Sequence, residues 1–163
     1  MVNMPRLQMT PAEVQKHLSQ LTDTPRRLAS CTAHLTDEQL HTRPGPRDWS
    51  ASEILAHLRA CDEVWSHSIY AMLAENRPEL PLLDERRWAK AARYADREFA
   101  ATLQAFTLRR AELVSVLGAL SVEDWSRAAD IGGRTHSVFS QVRRMALHEA
   151  EHCAQLESRA SAL

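Results

Sequence analysis

The sequence predicts an all-α fold, a four-helix bundle with long connections, and three observations carry that expectation. Leucine and alanine make up 44 residues against 11 valines and isoleucines, a balance that favours helices over strands. Only four glycines are present, too few for a chain of hairpins. Four segments of about 24 residues repeat apolar side chains with the 3.6-residue period. At 163 residues the chain has the size of one domain and can bury a sizeable core.

The first helix starts at Thr10-Pro11-Ala12-Glu13, where threonine caps, proline suits the first turn and Glu13 can reach back. It runs to about His34, with a kink or restart expected at Thr24-Pro25. Thr36 to Leu40 reads as a short helical turn, stopped by Arg43-Pro44-Gly45-Pro46. Ser50-Ala51-Ser52-Glu53 is a second capping box and opens a helix to about Asn76. Its apolar arc is Ile54, Leu58, Cys61, Trp65, Ile69 and Met72. Pro78 and Pro81 mark a connection, and residues 84–92 read equally as helical turn or loop.

A third helix is expected over roughly 93–118, with Phe99, Thr102, Phe106, Leu113, Val116 and Leu117 on its stripe and Gly118 at its end. Ser121 to Ala129 reads as a short helix, and Gly132-Gly133 breaks the chain. Thr135 or Ser137 caps the last helix, which reaches about Ala160 with Val138, Val142, Met145, Cys153 and Leu156 inward. Connections of about 15 residues are long enough for crossovers, or for a rim over one end of a bundle.

Composition narrows the function. The 20 basic and 21 acidic side chains argue against a protein that coats nucleic acid or an anionic membrane. The longest apolar run, Ile69 to Ala74, is far below the length of a membrane span. No apolar signal-peptide core precedes Thr10, and Cys31, Cys61 and Cys153 are odd in number and scattered. Both observations lead us to expect reduced thiols and a cytoplasmic location. The 18 arginines are dispersed and offset by acids, which reads as a solvated surface.

Eight histidines are many for this length. His148-Glu149-Ala150-Glu151-His152 puts two imidazoles one turn apart on one helix face, a spacing that suits two ligands of one metal ion. On the helical wheel His152 lies on a shoulder of the apolar arc and His148 just outside it. His57 occupies the equivalent shoulder of the second helix, where a third ligand would sit. The string H-E-x-x-H also matches a zincin protease, but only 11 residues follow His152. They hold no histidine, and Glu157 cannot turn back to the metal.

Cys61, four residues after His57, could compete as a ligand or serve as a small core hydrophobe. Glu149 falls in the middle of the last helix's apolar arc, where an unpaired charge is costly. It could accept a hydrogen bond from a ligand imidazole, act as a general base, or pair with an arginine from a neighbouring helix. The first role is favoured, because a residue next to a ligand points about 100° away from it. Asp62 has the same ambiguity. His17, His34, His41 and His67 read as surface or cap residues, and His136 lies just ahead of the last helix. Trp49, Trp65, Trp88 and Trp125 read as core or rim aromatics that could line a pocket.

Trp49-Ser50-Ala51-Ser52-Glu53-Ile54-Leu55-Ala56-His57-Leu58, together with His148-Glu149-Ala150-Glu151-His152 and Gln155, resembles the DinB-like superfamily. That superfamily includes bacillithiol-transferase-like and mycothiol-dependent enzymes. The likeness extends to the proline-rich lead into Trp49 and to Phe106-x-x-x-Arg110. It implies a four-helix bundle holding a divalent metal, nickel or zinc, through His57, His148 and His152. It also implies a homodimer and a small-molecule substrate, with hydrolysis or transfer of a low-molecular-weight thiol as the reaction. The alternative expectation is a non-catalytic, metal-binding or stress-associated bundle.

Overall fold

The computed structural model describes residues 9–160. Helix α1 (Pro11–Thr32) opens with Thr10 Oγ1 accepting from the Glu13 amide at 3.1 Å. Pro25 lies inside it, and the helix runs through the expected restart. Proline has no N–H, so the carbonyl of Leu21, four residues back, loses its helical donor. A guanidinium nitrogen of Arg110 replaces that donor at 3.2 Å. Helix α2 (Asp37–His41) is started by a Thr36–Gln39 capping box.

Helix α3 (Ala51–Ala74) starts at the expected box: Ser50 Oγ accepts from the Glu53 amide, and Glu53 accepts from the Ser50 amide. After strand β1 (Glu79–Leu80), Asp84 settles the ambiguous stretch. Its carboxylate accepts from the amides of Arg86 and Arg87, both at 3.0 Å, and starts helix α4 (Glu85–Ala91). A 3₁₀ turn at Tyr94–Asp96 follows, so helix α5 (Phe99–Gly118) begins later than the periodicity predicts. On the α5 stripe, Val116 is exposed rather than buried.

Helix α6 (Val122–Trp125) is half the expected length. The remainder joins strand β2 (Ala128–Ile131), which pairs antiparallel with β3 (Arg134–Ser137) and parallel with β1. This small sheet of ten residues lies in the connections of the all-α bundle that the sequence predicts. Gly132 and Gly133 have φ of 57° and 82°, so the pair makes a tight hairpin turn rather than only a break. Helix α7 (Val138–Ala160) follows, with Ser137 Oγ accepting from the Ser140 amide; Thr135 stays in β3.

The long helices form the bundle. Helix α1 packs on α5 and α7, and α3 also packs on α5 and α7, so α1 and α3 hold opposite corners. One apolar cluster gathers Leu21, Trp65, Ile69, Met72, Leu113 and Met145; another gathers Leu28, Leu55, Leu58, Phe106 and Leu156. Arg110 touches both, with the Met145 sulfur at 3.8 Å and the Phe106 ring at 4.9 Å. It is 1% exposed, an exception to the solvated arginines expected, and it contacts the other three long helices. Its partners are Asp62 on α3 at 2.8 Å, Glu149 on α7 at 2.5 and 2.6 Å, and the Leu21 carbonyl on α1. No helix among the described residues is long and apolar enough to cross a membrane.

Candidate metal centre

Helices α3 and α7 face each other where the histidine-bearing turns meet. The ring centroids of His57 and His148 are 5.0 Å apart, those of His57 and His152 5.3 Å, and those of His148 and His152 4.6 Å. The structure thus brings the three sequence-predicted imidazoles into one cluster. His57 Nε2 and His148 Nε2 approach to 3.0 Å. Two nitrogens bound to one zinc at 2.0–2.1 Å stand about 3.3 Å apart, so this spacing is close to that of a shared metal.

Burial, followed by the neighbouring His152 and Arg86, pulls His57 down to about 4. Burial, with His152 and His57 next, pulls His148 down to about 3. Both rings are therefore neutral near pH 7, with a lone pair to offer a cation. His152 has Nδ1 at 3.1 Å from Gln155 Oε1, which places the proton on Nδ1 and leaves Nε2 free to ligate. The donors fit a borderline divalent ion such as nickel or zinc.

Cys61 is the residue that the three-histidine pattern omits. Its sulfur is 3.6 Å from His57 Nε2, and ligand atoms of His57, Cys61 and His148 all lie within 4.8 Å of one another. Burial pushes its thiol up.

Aromatic walls enclose the cluster. Trp49 stacks on His152 at 6.2 Å and meets His57 edge-on at 5.1 Å, while Trp65 meets His148 edge-on at 5.1 Å. Trp65 donates its indole N–H to Glu85 at 2.7 Å, and the Arg144 guanidinium lies over the Trp65 ring at 4.4 Å and 3.5 Å from Glu85. Glu85, Arg86 and Arg144 escaped the sequence reading. The signal that could have found the first two was Asp84 as an N-cap ahead of Glu85-Arg86. A cavity of about 280 Å³ opens beside His57, lined by Trp49, Glu53, Arg86, Lys90 and Arg93 among others. Glu53 is paired with Arg43, and Arg93 with Asp96. Arg86 lies 5.5 Å over the Trp49 ring.

The remaining candidates lie outside this cluster. Both oxygens of Glu149 accept from Arg110, which is the ion-pair arrangement among its three possible roles. Burial pushes its carboxyl up against the pull of Arg110. Asp62 accepts from Arg110 and, at 3.3 Å, from Arg109. His17, expected at the surface, is 1% exposed because Phe139 packs on its ring, and Gln20 bonds its Nδ1 at 2.9 Å. His34, His41 and His67 are exposed, and His136 pairs with Ala129 in the hairpin. Trp125 lies in the core, and Trp88 donates to Glu63 at 2.9 Å.

No curated protein matches the chain. Among solved structures it is similar to YfiT from Bacillus subtilis, described as "a probable metal-dependent hydrolase with an unusual four-helix bundle topology". The TM-score is 0.84 at 17% identity, covering 98% of this chain and 91% of that one, which establishes a shared fold. A family profile matches residues 20–156, from the middle of α1 to the end of the histidine-bearing turns, and on that match the chain belongs to the DinB superfamily.

Proposed function

We propose that this chain is a metal-dependent enzyme acting on small molecules, with His57, His148 and His152 as its metal ligands. The observation that carries the reading is the convergence of three imidazoles from two helices, two of them held neutral by burial. Three imidazole ligands leave coordination positions for a water or a substrate thiol. When bound there, a nickel or zinc ion lowers the pKa of that water or thiol and makes it a nucleophile near neutral pH.

The chain's own residues supply the setting. Gln155 orients His152 through Nδ1, Trp49 and Trp65 exclude bulk water, and Glu85 and Arg144 hold Trp65 in place. The cavity beside His57 has the volume of a small molecule, and Arg86 and Lys90 favour one with an anionic group. Hydrolysis and transfer of a low-molecular-weight thiol both need this arrangement. The likeness to YfiT, described as a probable metal-dependent hydrolase, supports the first, and the resemblance to thiol-dependent relatives supports the second.

The test uses protein purified without a histidine tag. Elemental analysis should find about one divalent metal per chain. The loaded protein should then hydrolyse a member of an ester and amide panel, or join bacillithiol or mycothiol to a model electrophile. Metal without turnover in any of these assays would favour the non-catalytic, metal-binding reading. A chain that takes up no nickel or zinc would overturn both. The homodimer implied by the resemblance should appear in light scattering as a mass of two chains, and a monomer mass across micromolar concentrations would refute it.

A further inference from the structure

We propose that Cys61 is a fourth donor to the same metal, so that this chain offers one thiolate and three imidazoles to a tetrahedral, zinc-type ion rather than to nickel. This inference rests on the metal-site reading above and adds a ligand and a metal preference to it. Two helices each contribute a pair one turn apart: His57 and Cys61 on α3, His148 and His152 on α7. The i, i+4 spacing puts both members of each pair on one face, and the two faces meet across the cluster.

The distances among Cys61, His57 and His148 match such a centre, and the His152 ring stands beside them with its centroid 4.6 Å from that of His148. With metal–sulfur near 2.3 Å and metal–nitrogen near 2.0–2.1 Å, a tetrahedral site separates sulfur from nitrogen by about 3.6 Å. Cys61 Sγ lies 3.6 Å from His57 Nε2 and 3.8 Å from Nδ1. At 1% exposure it belongs to the apolar core beneath the cluster and does not line the cavity beside His57. Ligation breaks the S–H bond, forms a metal–sulfur bond and releases the proton to solvent. A thiolate in a tetrahedral set suits zinc, whereas nickel(II) favours tetragonal nitrogen and oxygen donors. Zinc can expand to five ligands, so a substrate can still bind from the cavity.

Cobalt(II) reports thiolate ligation directly. Tag-free protein loaded with one cobalt should show a near-ultraviolet sulfur-to-cobalt charge-transfer band and the intense visible bands of tetrahedral cobalt. Cys61→Ser should keep the cobalt through the imidazoles and lose the near-ultraviolet band. Wild-type protein that binds cobalt without that band would overturn the role of Cys61 and leave the three-histidine site standing. Failure to bind cobalt or zinc at all would overturn the metal-site reading itself. A band that persists in Cys61→Ser would also refute the inference. X-ray absorption on the wild-type zinc protein is independent of how the variant folds; one sulfur at about 2.3 Å is expected, and nitrogen and oxygen scatterers alone would refute it.

Discussion

Replacing Arg110 by methionine keeps much of the side chain's length and removes its charge. Glu149, 1% exposed, then remains in the core without its guanidinium partner, Asp62 keeps only the longer contact to Arg109 at 3.3 Å, and the Leu21 carbonyl loses its donor. Removing one member of a buried ion pair costs about 3–5 kcal/mol, because the stranded charge has neither water nor partner. In a protein of this size each kcal/mol moves the melting temperature by roughly 2–4 °C, so a fall of roughly 6–20 °C is expected. The pH dependence has a definite sign. Without Arg110 the Glu149 carboxyl is raised further above its unfolded value, so the folded variant binds more protons than the unfolded chain. Its deficit should be largest near neutral pH and shrink as pH falls toward the ordinary carboxylate range. Urea unfolding followed by circular dichroism at neutral and mildly acid pH measures both effects. The combined Asp62→Leu, Arg110→Met, Glu149→Leu variant should recover most of the loss. A deficit in Arg110→Met below about 1 kcal/mol, the scale of an exposed pair, would refute the argument, as would one that grows on acidification.

Alanine at His57, His148 or His152 should each lower metal content sharply, and full occupancy in His152→Ala would remove that residue from the ligand set. Glu149→Gln keeps the shape and one acceptor for Arg110, so stability should fall by about 1.5–3 kcal/mol while metal content survives; a 10- to 100-fold loss of metal affinity would instead show that the carboxylate orients a ligand. His57 and His148 titrate below their unfolded values, so the metal-free protein should lose stability as pH falls from about 6.5 toward about 4. A His57→Gln, His148→Gln protein should lose less in thermal melts over the same range. Gly132→Ala should cost about 1–3 kcal/mol, because its φ is +57° and the new methyl would stand 2.8 Å from Leu82 Cβ. Gly133→Ala is strained but meets no atom within 4 Å, so it should melt at the higher temperature of the two.

Local signals carried most of the fold. The caps at Thr10, Ser50 and Ser137 and the apolar arcs of α3 and α7 depend on neighbours within a turn, and they lie where the periodicity predicts. The sheet was not legible because its pairs are non-local: Glu79 meets Asp130, and nothing in either short segment names the other. The same division holds at the site. The i, i+4 spacing marked His148 and His152, and the wheel marked His57 as their counterpart. Glu85 and Arg144 reach the site only through Trp65, a contact between three helices. Only the family likeness, through Phe106-x-x-x-Arg110, set Arg110 apart from the other arginines; its burial was not legible, because it follows from two distant acids and from a proline on a third helix.

The bidentate grip of Arg110 on Glu149 also sets the azimuth of α7. A helix packed only by apolar side chains can turn a few degrees, or slip by a residue, at modest cost. An anchored carboxylate cannot, because each residue of slip swings it about 100° from its guanidinium. Glu149 is the immediate neighbour of His148, and His152 lies one turn on, so the tooth that indexes the helix is cut beside the imidazoles it aims. The aim of the metal ligands is thereby set from inside the bundle, and the loops over its end are free to diverge without disturbing it.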